Sequence, residues 1–443
     1  MNNSATSFIF LSHDFDRATG LAQFRYRVEF STGKTEDYLE TLRFPVEKHK
    51  VVLADTAALK PFLQSLHLLL GISFWKMYCP PEIRIEGYSL SQSQANFWNT
   101  FYTNGLGEFF YKNQIDFRGL VKFPFGLKAE TEPVHLTHHD RSLVPFGGGK
   151  DSIVTAELMK ARNKPFSAHT VGSHPIQEQV IKRMGVDHLI VERTLDPRMI
   201  ELSLAKKVYT GHVPATAIYA LTTLMSAALF GYSAVVLSNE KSSSYGNVQY
   251  LGREVNHQWS KSAEAENLLQ EYVRNHITPD IAVFSLLRPL YEIEITRRFT
   301  EFPEFFPFFS SCNRNFSLVN PPKKGLWCGE CPKCAFMFAM LAAQLPRDIV
   351  IEIFSKNLFA DEKLLQLYRE LLGLAEFKPF ECVGTPEEMK VAMHLIVERH
   401  EFDHDAIMKM FSTEVMPTLG DVSNLESNVF SVHEDHMIPE EFQ

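Results

Sequence analysis

Val144-Pro145-Phe146-Gly147-Gly148-Gly149-Lys150-Asp151-Ser152-Ile153-Val154-Thr155 is the stretch on which the fold turns. An apolar strand runs into three glycines, which let backbone N–H groups approach an anion with no side chain in the way, and a helix begins directly after them. The unpaired N–H groups of that first turn carry partial positive charge, and the Lys150 ammonium and Ser152 hydroxyl add donors, so the segment predicts a polyphosphate site over Gly147, Gly148, Gly149, Lys150, Asp151 and Ser152. The spacing is neither GxxxxGK[ST] nor GxGxxG. A capped glycine turn without ligand is the plainer alternative, but it spends backbone entropy for no contact. Asp151 can cap the helix or hold magnesium beside the phosphates, two compatible roles.

Working outward, short apolar runs alternate with helical stretches from Ser142 on: Leu143 to Phe146, Ile153 to Ala161, Pro165 to Val171, Ile176 to Met184, His188 to Val191, Thr216 to Phe230, Ala234 to Leu237, Ile281 to Pro289, then a helix near Tyr291 to Phe302. That rhythm predicts an α/β fold with a parallel sheet and flanking helices over residues 142–345. Before it, Ser7 to Leu11, Leu21 to Phe30 and Thr35 to Phe44 predict strands, with Arg25, Arg27 and Glu29 interleaving with Phe24, Tyr26 and Val28 so that one face is wet. Asp55 to Trp75 reads as a helix and Glu82 to Gly87 as a short strand, which makes residues 1–141 a mixed, β-rich domain. Residues 346–443 read as a small helical part, with helical spacing at Asp361 to Leu374 and Pro386 to Glu398 and a polar, irregular tail after Pro417.

The composition sets limits. In 443 residues, 44 Lys plus Arg against 53 Asp plus Glu leave a net charge of −9, which excludes an overall basic coat for nucleic acid. Hydrophobic residues at 45% supply a full core, while apolar runs such as Ala217 to Phe230 are too short and too interrupted for a bilayer span. The start, Met1 to Phe10, lacks the basic flank and apolar run of a secretory leader, so a reducing cytoplasm is expected. Four of the six cysteines, Cys312, Cys328, Cys331 and Cys334, fall close together while Cys79 and Cys382 stand alone, a layout for a metal rather than for disulfides. Four thiolates suit a closed structural zinc; an iron–sulfur cluster is the alternative.

The segment Gly147-Gly148-Gly149-Lys150-Asp151-Ser152 resembles the SGGxDS signature of the PP-loop ATP pyrophosphatases, with Gly147 where that signature has Ser. The resemblance implies an adenine nucleotide alpha hydrolase-like fold, ATP cleaved to AMP and pyrophosphate, magnesium, and main-chain contacts to adenine from the second strand, here near His169 and Thr170. The phosphate loop followed by C…CxxCxxC also resembles the 7-cyano-7-deazaguanine synthases over roughly Val144 to Met340. A resemblance over nearly the whole chain is to the MurL family of UDP-N-acetyl-muramoyl-L-alanyl-L-glutamate epimerases. It rests on the phosphate loop, Gly211-His212-Val213-Pro214, Leu237-Ser238-Asn239-Glu240-Lys241-Ser242, Val255-Asn256-His257-Gln258-Trp259-Ser260 and Trp327-Cys328-Gly329-Glu330-Cys331-Pro332-Lys333-Cys334. It implies an isomerase of peptidoglycan synthesis, and through it of cell-wall biogenesis, cell shape and division, that inverts glutamate through an acyl-adenylate.

Such chemistry needs a base outside the phosphate loop. The candidates are His212, Glu240, Lys241 and His257, with Lys150 and Asp151 serving activation. Position favours Asn239-Glu240-Lys241, which follows the apolar strand Ala234 to Leu237, because ligands of open α/β sheets gather at the carboxyl ends of strands. Arg253, Arg288, Arg297 and Arg298 are candidates for the substrate's anions, and Trp259 is either a stacking ring or core. Another carboxylate-activating synthase and a non-catalytic ATP-binding module are the competing functions. The partner expected is a nucleotide-linked muramoyl dipeptide, with no nucleic acid and no membrane span.

Overall fold

The computed structural model describes residues 5–53, 55–126, 132–316, 325–375 and 377–443; of the stretch weighed as a leader, Met1 to Ser4 lie outside the described residues. The chain opens with an antiparallel meander, β1 (Ala5–Asp16), β2 (Leu21–Phe30) and β3 (Thr35–Arg43), and β4 (Glu82–Ile85) joins β1 in parallel. β5 (His139–Pro145), β6 (Phe166–Val171), β7 (His188–Thr194), β8 (Tyr232–Leu237) and β11 (Ala282–Ser285) run parallel to one another, while β9 (Val248–Tyr250) and β10 (Arg253–Val255) form a separate hairpin. Among the described residues the two groups make one nine-stranded mixed sheet, β11-β8-β5-β6-β7-β3-β2-β1-β4.

The seam is the antiparallel pairing of β3 with β7, Thr41 opposite Thr194 and Arg43 opposite Glu192. It is braced by Arg193 Nε donating to Glu40 Oε1 at 2.6 Å, with the Glu40 side chain fully buried. The sheet thus passes without a break from residues 1–141 into the parallel half.

Each strand's pattern follows from what covers it. In β2, Ala22, Phe24, Tyr26 and Val28 are fully buried while Arg25 stands in solvent, so one face is wet, as period two predicts. The covered face packs on the helix Lys60–Leu70 and on the short helix Ile72–Trp75 after it, where Phe74 stacks on Tyr26 at 5.0 Å. In the parallel half both faces are covered. Leu143 and Val235 face the layer that holds the helix Ala215–Phe230, and Val144 and Val236 face the layer that holds the helices Lys150–Ala161, Glu292–Phe299 and Pro332–Ala342. The 19-residue segment Ala57–Trp75 is long and apolar enough for a span, but 83% of its apolar window is buried inside the fold.

Several elements depart from expectation. β11 stops at Ser285, because Arg288 turns inward to Glu266 at 2.6 Å and Pro289 has no N–H for a ladder. The helices Gln92–Gly105 and Gly107–Asn113 have no counterpart in the sequence reading, although Ser91 and Gln94 form a complete capping box. The tail after Pro417, expected to be irregular, contains the helix Ser423–Phe430, held by the fully buried Val429.

Candidate active site

From β5 the parallel strands run outward on one side to β6 and β7 and on the other to β8 and β11, so the carboxyl end of β5 lies where the strand order reverses, the place at which open α/β sheets bind ligands. A cavity of about 350 Å³ opens there, bordered by Gly147, Gly149, Asp151 and Ser152 of the glycine loop, by Thr170 of β6 and by Asn239 after β8. The loop is built for close approach. Gly148 has φ +81°, and a Cβ on Gly149 would meet Ser311 Oγ at 2.7 Å. Phe146 N–H donates to the His169 carbonyl at 2.8 Å, Gln177 Nε2 donates to the Phe146 carbonyl at 3.0 Å, and Ser310 N–H donates to the Gly148 carbonyl at 3.3 Å. The helix Lys150–Ala161 starts at this rim and turns the free N–H groups of its first turn toward the cavity end of the sheet.

The charges differ from the simple expectation for Lys150. Its side chain is fully buried and its ammonium binds the carboxylates of Asp151 and Glu292, so it is turned away from the cavity and anchors the loop from behind. Among the described residues, the cations that border the cavity are Lys261 and Lys333, neither of which is marked by the sequence patterns above. Lys333 Nζ lies 3.2 Å from Glu292 Oε1. Burial pushes the Glu292 carboxyl up, but Lys150 and Lys333 outweigh it and hold the group down at about 2. Burial disfavours the charged form of Lys261, yet nearby Glu240, Cys382 and Asp151 raise its pKa. Glu240 is fully buried with both carboxylate oxygens unpartnered; burial, opposed by Lys261, raises its pKa. Lys241 opens a short helical turn next to it and does not border the cavity.

His169 borders the cavity from β6, but its ring is tied between Thr223 Oγ1 at 2.9 Å and Ser226 Oγ at 3.0 Å, and burial lowers its pKa to about 3, a neutral packed imidazole. Thr170 Oγ1 is paired with His188 Nε2 at 2.9 Å. His212 and His257 come together around Glu108, a residue of the helix Gly107–Asn113. The His257 Nδ1 hydrogen-bonds the Glu108 carboxylate, and the two imidazole rings lie 4.6 Å apart. Burial opposes charge on His257, but Cys382 and Glu108 beside it raise its pKa to about 9; burial and the His257 charge lower His212 to about 3. Burial pushes Glu108 up, but His257 and Lys112 bring it down to about 2.

The four clustered cysteines converge. Cys312 Sγ is 3.9 Å from Cys331 Sγ and Cys328 Sγ is 3.6 Å from Cys334 Sγ, with all four sulfurs within 4.8 Å of one another and none in a disulfide. Sulfurs about 2.3 Å from one tetrahedral zinc stand about 3.8 Å apart, so the donor set fits that ion. The cluster joins the stretch that carries Ser310, Ser311 and Asn313 to the helix Pro332–Ala342 that carries Lys333, and all four of these residues border the cavity.

The arginines are largely spoken for. Arg288 is buried against Glu266 and the carbonyls of Glu240 and Lys261, Arg297 and Arg298 both pair with Glu294, and Arg253 Nη1 donates to Asn104 Oδ1 at 3.2 Å. Trp259 is core, its Nε1 donating to Glu264 Oε2 at 2.8 Å.

Two family models match the chain, the MurL N-terminal domain over residues 1–286 and the MurL C-terminal domain over residues 308–425. Among curated proteins, the UDP-N-acetyl-alpha-D-muramoyl-L-alanyl-L-glutamate epimerase of Xanthomonas oryzae pv. oryzae is 35% identical over 98% of this chain and 95% of its own length. Proteins of the same name from a Micromonospora species and from Salinispora tropica are 34% and 35% identical, over 98% and 89% of this chain and 96% and 85% of theirs. With family models and full-length relatives agreeing from one end to the other, the chain belongs to the MurL epimerase family.

Proposed function

We propose that this protein inverts the terminal L-glutamate of UDP-N-acetyl-muramoyl-L-alanyl-L-glutamate, a peptidoglycan precursor, after activating its α-carboxylate with ATP, and that AMP and pyrophosphate are released. The substrate follows from the name its relatives carry. ATP dependence follows from the glycine loop, and we read the parallel half of the sheet as a PP-loop nucleotide fold. The observation that carries this reading is that the loop, the helix start and Lys261 and Lys333 border one cavity at the reversal point of the sheet.

The activation has a physical reason. A proton α to an ionised carboxylate is very weakly acidic, because the carbanion would sit beside an existing charge. Joining the carboxylate to AMP removes that charge and leaves a carbonyl that can take up the electron pair. The free N–H groups of the loop and helix start, with the ammonium groups of Lys261 and Lys333, receive the phosphates and the departing pyrophosphate. Asp151 on the cavity wall offers the carboxylate oxygen that suits magnesium, which when bound would neutralise phosphate charge. Cys312, Cys328, Cys331 and Cys334 would hold a structural zinc that fixes the cavity wall.

Oxygen transfer tests the activation step. With substrate labelled with ¹⁸O in the terminal α-carboxylate, one labelled oxygen is expected in the AMP released. AMP free of label, or ADP as the product, would reject the acyl-adenylate.

A further inference from the structure

One cavity residue has no part in phosphate binding. Cys382 borders the cavity together with the glycine loop and Lys261. It sits in residues 378–383, which carry no helix or strand but are fixed on both sides. Asn247 Nδ2 donates to the carbonyls of Lys378 and Pro379 at 3.3 and 2.8 Å, Gln258 Nε2 donates to the Val383 carbonyl at 3.1 Å, and Asn313 donates to the Glu381 carboxylate. Beside the thiol stands the His257 imidazole, which hydrogen-bonds the Glu108 carboxylate, and Lys112 closes the row on Glu108. Thiol, imidazole and carboxylate therefore form a row that ends at the cavity, an arrangement that supports a thiolate.

The other acid–base candidates stand farther back. His212, His257, Glu240 and Lys241 do not border the cavity, and the remaining cysteines are the four of the cluster and Cys79, which lies elsewhere. Burial opposes ionisation of Cys382, but Lys261, His257 and Lys333 prevail and lower its pKa; Cys79, where burial dominates, is pushed up.

We propose that Cys382 is the catalytic acid–base group at the glutamate α-carbon, with His257 and Glu108 as its positioning residues. The inference rests on the epimerase reading above. The Cys382 thiolate takes the α-proton and becomes a thiol, and the C–H electron pair moves into the activated carbonyl as an enolate. The enolate regains a solvent-derived proton at carbon as its carbonyl re-forms. Delivery to the opposite face gives the D-centre, and thiolate is regenerated by loss of its proton to water, with the charge of the adjacent His257 stabilising it.

The test uses the full-length protein in D₂O with ATP, magnesium and the muramoyl dipeptide. The wild-type protein places deuterium at the glutamate α-carbon, and Cys382→Ser lowers that uptake at least 100-fold while it still exchanges labelled pyrophosphate into ATP in the presence of substrate. Deuterium uptake at the wild-type rate in Cys382→Ser overturns the proposal, and so does parallel loss of uptake and pyrophosphate exchange in a variant that melts like the wild type. Should the variant not fold, iodoacetamide on the wild-type protein decides: carbamidomethylation mapped to Cys382 that stops deuterium uptake supports the role, and uptake that survives it refutes the role. Absence of pyrophosphate exchange in the wild-type protein would count against the acyl-adenylate, a failure separate from that of Cys382.

Discussion

Asp151 and Glu108 show how much of the account rests on single carboxylates. Asp151 is on the cavity wall and is held by Lys150, whose second partner is Glu292. Asp151→Asn is therefore expected to keep the fold, since the Lys150–Glu292 pair survives, and to slow AMP formation about 10²- to 10³-fold, the usual cost of removing one electrostatic contact to a reacting group. A melting curve and an AMP assay check both halves. Glu108 works through His257. Because the folded His257 has its pKa raised from 6.5 to about 9, the ring contributes stability that is complete below pH 6.5 and is lost as pH rises through about 9. Glu108, lowered from 4.5 to about 2, contributes above pH 4.5 and loses its contribution as pH falls through about 2. Denaturant titrations at pH 6.5 and 9 should show the wild-type protein losing a few kcal/mol, at about 1.4 kcal/mol per unit of pKa difference, and Glu108→Gln losing less, with the share owed to Cys382 remaining. Equal losses would contradict the pairing. His257 is visible in the sequence as one of several histidines; Glu108 is not, because the pair is joined across 149 positions with no local pattern to mark it.

At the scale of elements, the cysteine cluster is the hinge of the site, since it ties the Ser310–Asn313 stretch to the helix Pro332–Ala342. The purified protein is expected to carry one zinc per chain by atomic absorption. Cys331→Ser should lose the metal, melt several degrees lower and bind ATP more weakly, because three thiolates no longer close the tetrahedron. Full metal content and an unchanged melting point in that variant would count against a structural ion. Elements with a strong period are legible in the amino-acid sequence: the alternation of β2, the apolar run of β8 and the glycines ahead of the helix Lys150–Ala161 each depend on local burial or backbone freedom. The helices Gln92–Gly105 and Gly107–Asn113 are not, because their aromatic and polar residues give no clean stripe. Residues 378–383 are silent too, since their position is set by Asn247, Gln258 and Asn313 rather than by their own sequence.

Across the whole molecule, the sheet makes the N-terminal strands and the parallel half a single structure. β3 covers the edge of β7, and Glu40 and Arg193 seal the seam. Removing residues 1–50 should therefore abolish cooperative unfolding rather than merely weaken substrate binding, because β7 would present a bare edge and the Phe8, Phe24 and Tyr26 side of the core would be gone. A truncated chain that melts cooperatively would contradict this. Such continuity is hard to read in sequence, since an antiparallel pairing between residues about 150 positions apart leaves no periodic trace. The layout also puts the glycine loop and Cys382 on the wall of one cavity, where the proposed activation and proton transfer would meet. The most direct measurement is to incubate the protein with ATP, magnesium and UDP-N-acetyl-muramoyl-L-alanyl-L-glutamate, hydrolyse the product, and determine glutamate chirality together with the AMP formed. The account predicts D-glutamate and AMP rising together, and L-glutamate retained without AMP would contradict it.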